Sequence, residues 1–158
     1  MRRTALVLVS LALVCWTVSA ISAQTEKPWF DNANCSFCQF LTKDPKLMEN
    51  MTWEHHDISN GLLVVTTVKP EFKKSYLEAM GGMEKLSQEM MAGKQDVKLC
   101  GHCEYYGKLM MSGAKFEHIA AKAGDIVLIT SDNPDVLKMI REYGQRTRDE
   151  MAKLEKKS

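Results

Sequence analysis

An internal duplication constrains this chain more than any other feature of its sequence. Cys35-Ser36-Phe37-Cys38 has a counterpart in Cys100-Gly101-His102-Cys103, 65 residues on. Trp53-Glu54-His55 matches Phe116-Glu117-His118 at a spacing of 63, and Gly61 matches Gly124 at the same spacing. Leu63-Val64-Val65-Thr66 parallels Val127-Leu128-Ile129-Thr130 at 64, as Pro70-Glu71-Phe72-Lys73-Lys74 parallels Pro134-Asp135-Val136-Leu137-Lys138. Five features keep their order while the spacing drifts by two residues. A period of this size marks one supersecondary unit used twice.

Each unit yields the same local elements. The CxxC opens a short helix, over Cys35 to Leu41 in the first unit and Cys100 to Met111 in the second. Pro45 interrupts the first helix, and Ser112-Gly113 stops the second. A hairpin follows. Thr52 to Ile58 turns through Ser59-Asn60-Gly61 into Leu62 to Val68, since Asn-Gly favours the tight turn that matches strand twist. Lys115 to Ala121 turns near Ala123-Gly124 into Asp125 to Thr130. Pro70 and Pro134 then start a second helix in each unit. Val136, Ile140, Tyr143, Met151 and Leu154 share one face of the later helix, as Phe72, Tyr76, Met80 and Met83 do in the earlier one. Gly81-Gly82 is expected to kink or break that earlier helix, and Ala92 to Asp96 connects the units.

An isolated hairpin is unstable in water, so the two hairpins are expected to join. The fold class that follows is α+β: two tandem pseudo-symmetric repeats, about 33–92 and 97–158, forming one four-stranded antiparallel sheet with helices on one face. Residues 24–158 then make a single domain. Residues 1–23 have the pattern of a cleavable signal peptide: Arg2-Arg3, a 14-residue apolar run from Ala5 to Val18, and small residues at Ser19-Ala20 and Ser22-Ala23. That run is shorter than the roughly 20 residues a membrane span needs. The mature chain is therefore expected outside the cytoplasm, periplasmic or secreted, without a membrane span.

Removing residues 1–23 leaves four of five cysteines, an even number suited to pairing or to four-fold ligation. It leaves 19 basic residues against 20 acidic, which gives no electrostatic footprint for nucleic acid. Two CxxC pairs can each aim two sulfurs at one point, and a four-thiolate tetrahedral site needs two such pairs. The candidate ligands are Cys35, Cys38, Cys100 and Cys103, with zinc favoured over copper on ligand type. Exported cysteines also form structural disulfides, within each CxxC or between the repeats, and a disulfide-stapled interaction domain stays open. Cys100-Gly101-His102-Cys103 resembles the CGHC active site of protein disulfide isomerases and other thioredoxin-fold oxidants. That resemblance implies a thiol–disulfide oxidoreductase or electron carrier acting through Cys100 and Cys103. It spans four residues; Lys94 to Leu99 before it is mostly polar, and Cys35-Ser36-Phe37-Cys38 lacks the Gly-His.

His55 and His118 form the other matched polar pair. Alternation along a strand puts His55 with Trp53 and His118 with Phe116 on the core face, so each is either a core histidine bonded to a neighbour or a ligand or support of the same metal. His56 and His102 have no counterparts. The 11 methionines could supply soft copper ligands, but their helical spacing fits core packing. No Ser-His-Asp grouping, phosphate-binding glycine loop or paired acid–base constellation is present. The expected function is a small exported metal-binding module without catalysis, working alone, as a homodimer or with a protein partner.

Overall fold

The computed structural model describes residues 27–156; the signal-peptide segment, 1–23, lies outside them. The chain is α+β, with a four-stranded antiparallel sheet and three α-helices among the described residues. Strands β1 (Met51–Ile58) and β2 (Gly61–Val68) form the first hairpin, and β3 (Lys115–Ala121) and β4 (Gly124–Thr130) the second. The strand order is β1-β2-β4-β3, so the hairpins join through their second strands, with Leu62 opposite Ile129 and Val64 opposite Val127.

Glycine at the head of each second strand permits this junction. A Cβ on Gly61 would stand 2.0 Å from the Ile129 carbonyl oxygen, and one on Gly124 1.9 Å from that of Thr66. Both ends of the junction are then tied by loop hydrogen bonds, Val68 N–H to the Ala123 carbonyl and Ser131 N–H to that of Asn60.

Three α-helices accompany the sheet among the described residues: α1 (Lys73–Met91), α2 (Gly101–Met111) and α3 (Pro134–Glu155). Asn133 caps α3 by accepting from the N–H groups of Asp135 and Val136, with Pro134 pre-set in the first turn. The main core joins Leu62, Val64 and Ile129 of the sheet to Leu109 of α2, Val136, Ile140 and Tyr143 of α3, and Trp29. Leu62, Leu109, Ile129 and Ile140 are fully buried, a contribution of about 1.5–3 kcal/mol each. Arg148 fastens α3 to the β1 edge through Asp57 Oδ2 and the His55 carbonyl. Leu154, expected on the buried face of α3, is exposed. A 22-residue helix is about 33 Å long and outruns strands of seven or eight residues.

Two expectations are corrected. The first CxxC does not open an α-helix from Cys35 to Leu41; it lies in turns followed by a single 3-10 turn at Cys38–Phe40. Single four-residue bonds, Cys35 N–H to the Asp31 carbonyl and Gln39 N–H to that of Cys35, are not continued; Phe40 and Leu41 N–H instead bond three residues back, to Phe37 and Cys38. Nor does Gly81-Gly82 break α1, which runs unbroken from Lys73 to Met91. Gly82 lies under the Phe40 ring, where a Cβ would come within 2.3 Å of a ring carbon. Contact with the first CxxC segment offsets the roughly 1 kcal/mol that a glycine costs inside a helix.

Candidate metal centre

Two segments carry the cysteines to one place. Cys100 is the N-cap residue of α2, and no side chain caps that helix. Its free N–H groups are instead satisfied by the preceding chain: Gly101 N–H donates to the Pro28 carbonyl and His102 N–H to that of Trp29. Gly101 is small because Trp29 packs over it, 3.2 Å from where a Cβ would be. The first segment is hinged to the connector beside Cys100 by reciprocal bonds. Ser36 N–H donates to the Lys98 carbonyl, and Lys98 N–H to Ser36 Oγ.

All four Sγ atoms lie within 4.8 Å of one another. Cys35 approaches Cys103 at 3.6 Å, Cys38 approaches Cys100 at 3.7 Å and Cys103 at 3.8 Å. Cys35, Cys38 and Cys100 are buried at 1%, 8% and 2% exposure, whereas Cys103 is partly open. All four are free cysteines, and no disulfide joins them.

Crowding splits the acidities. Hydrogen bonds from Cys100, Cys103 and Cys38 pull the Cys35 thiol far below its ordinary range. The Cys103 hydrogen bond brings Cys100 down to about 6. Cys38 and Cys103 are pushed up, chiefly by their hydrogen bonds with Cys100. The direction thus differs within each segment, one sulfur shifted toward the thiolate and the other toward the thiol.

His102, unmatched in the first unit, is fully engaged in the core. Its Nε2 shares a hydrogen bond with the Tyr143 hydroxyl, and Trp29, Phe30, Trp53 and Tyr143 surround its ring. Burial holds it neutral, with a pKa lowered to about 3. His55 is buried against Trp53, and burial lowers its pKa to about 4. Among the described residues neither His55 ring nitrogen has a hydrogen-bond partner. His118 is half exposed on β3, with Nδ1 3.6 Å from an Asp125 carboxylate oxygen. The structure gathers the four cysteines into one group and leaves His55 and His118 outside it.

Trp29 and Phe30, which frame the centre from outside the repeat boundaries, were not singled out by sequence. Two adjacent aromatics in the polar stretch from Gln24 to Asn34 were the available signal. The CGHC resemblance meets a steric obstacle. A dithiol that attacks substrates exposes its first cysteine, and here Cys100 is the buried member and Cys103 the accessible one. No described helix is long and apolar enough to cross a membrane. Protein-family models, curated proteins and solved structures contain no match to this chain.

Proposed function

We propose that this protein is an exported, non-catalytic zinc-binding module in which four thiolates from two copies of one structural unit share a single ion. One observation carries the metal assignment, the spacing of the sulfurs. A zinc ion with sulfurs at about 2.3 Å in tetrahedral array separates those sulfurs by about 3.8 Å. Three approaches between the segments are 3.6, 3.7 and 3.8 Å, and all four sulfurs lie within 4.8 Å of one another. Four thiolates favour zinc over copper(I), which takes thiolates and thioethers in lower coordination numbers. Burial of three of the four sulfurs and the absence of an open ligand position among them describe a structural site, since a catalytic one keeps a place for water.

The duplication is supported by the recurring hairpin–helix order and by Gly61 and Gly124, which meet the neighbouring strand in the same manner. Export is supported by the composition of residues 1–23 alone. Metal analysis of the mature protein purified from its native compartment tests the assignment. About one zinc per chain is expected with the cysteines reduced. Sub-stoichiometric metal with all four sulfurs oxidised would refute it.

A further inference from the structure

The spacing that suits a tetrahedral cation also arranges the sulfurs for oxidation. Three approaches of 3.6 to 3.8 Å run between the segments. Two of them, Cys35 to Cys103 at 3.6 Å and Cys38 to Cys100 at 3.7 Å, together use each sulfur once. Cys103 is the one partly exposed member, the other three being buried. The first segment, held by turns and one 3-10 turn, is the side able to give when sulfurs close to the roughly 2.05 Å of a disulfide.

Resting on the zinc assignment above, we propose that the centre is a peroxide-sensitive modification site: Cys103 is oxidised first, the sulfurs close as Cys35–Cys103 and Cys38–Cys100, and the ion leaves. In the first step Cys103 Sγ, its proton displaced by the bound zinc, attacks one peroxide oxygen. The O–O bond breaks, leaving sulfenic acid on Cys103 and a hydroxide. Cys35 Sγ then attacks the Cys103 sulfur, the S–S bond forms and the S–O bond breaks, releasing a second hydroxide. Two solvent protons convert both hydroxides to water. Each peroxide gains two electrons, one from each sulfur of the pair. A second peroxide does the same at Cys38 and Cys100, of which Cys38 is the less buried. The ion, stripped of thiolates, has no ligand set left. Sequence separations of 68 and 62 residues make both bridges long-loop crosslinks, which restrict the unfolded chain strongly. The two segments therefore stay fastened after the metal has gone.

The experiment treats the zinc-loaded mature chain with hydrogen peroxide, follows released zinc with a chromogenic chelator, and maps tryptic peptides without reduction. No Lys or Arg lies between Cys35 and Cys38 or between Cys100 and Cys103, whereas Lys43 and Lys98 separate the pairs. Bridges between segments leave two peptides joined; bridges within each CxxC leave two separate, internally oxidised peptides. One zinc released for two peroxides consumed, with joined peptides, is expected. Separate peptides, or zinc retained after peroxide is consumed, would overturn the proposal. Register is tested by two double variants. Cys38→Ser/Cys100→Ser keeps the Cys35/Cys103 pair and should form its bridge at least about tenfold faster than Cys38→Ser/Cys103→Ser, which keeps Cys35 and Cys100; equal rates would overturn the register. Zinc content is measured before peroxide is added. A reduced protein that takes up no zinc would sink the metal assignment and the release step, while the peptides would still decide the pairing.

Discussion

The two CxxC segments reach the same centre by opposite means. Cys100 and Cys103 ride on α2, whose Leu109 is fully buried and whose first turn is tied to Pro28 and Trp29. Cys35 and Cys38 sit in turns, propped by Phe40 against Gly82 and by the small cluster around Leu47 and Val68. Identical ligand spacing thus needs no identical local structure. A CxxC fixes two sulfurs a short distance apart, and whether a helix or a turn carries them is decided by the surrounding core. On the proposed zinc assignment the contrast would also divide the labour, with the helix-borne pair pre-positioned and the turn-borne pair more dependent on the ion.

The largest effect should come from breaking the ligand set. Cys35→Ser should weaken zinc binding by more than the roughly 10–100-fold that loss of an outer-shell partner costs, as read by competition with a chelator. Stripping the metal should then separate the two regions in amide hydrogen exchange. Ser36 and Gln39 should lose protection while the α2 amides keep theirs. Equal loss in both segments would mean that neither is pre-positioned, and the contrast would fail.

The aromatic support on the helix-borne side is tested through pH. Burial lowers the His55 pKa in the folded chain to about 4, from an ordinary 6.5. As pH falls below 6.5 the unfolded chain takes up a proton that the folded chain refuses, so stability drops until about pH 4 and is unaffected above 6.5. His55→Phe should remove that drop and gain about 2 kcal/mol relative to the wild type between pH 7.5 and pH 5, measured by denaturant unfolding at both values. A flat difference would mean that His55 is not held neutral.

Adjacent glycines test the turn-borne side. Gly82→Ala pushes a methyl group into the Phe40 ring and should destabilise by about 1–2 kcal/mol. Gly81→Ala, with nothing within 4 Å of the new Cβ, should stabilise α1 by about 0.5–1 kcal/mol. Chemical denaturation of both variants decides it. A gain at both positions would mean that Phe40 does not brace the first segment.

Much of the sheet was legible because its signals are local. Strand alternation and turn glycines mark both hairpins to within a residue, as Met51–Ile58 and Gly61–Val68 illustrate. The cysteines could be named as ligands from spacing, but their convergence depends on contacts more than 60 residues apart in sequence, for which no local signal exists. The two local errors had the same origin. Cys35 to Leu41 holds one apolar turn with Pro45 close behind, too little to sustain a helix against turn-favouring Asn34 and Asp44. Gly81-Gly82 looked like a break because its compensation, the Phe40 ring, comes from another part of the chain. His102, between Cys100 and Cys103, has no counterpart in the duplication, and sequence gives no sign that it bonds to Tyr143 in the core.

Because the four cysteines are divided between positions 35–38 and 100–103, a growing chain that binds zinc as proposed would not hold it tightly until synthesis has passed Cys103. Two sulfurs alone leave half of a tetrahedral shell to water. On that reading loading is a late event in the life of each molecule, and a tightly held ion would report that both halves of the polypeptide have been made and have met.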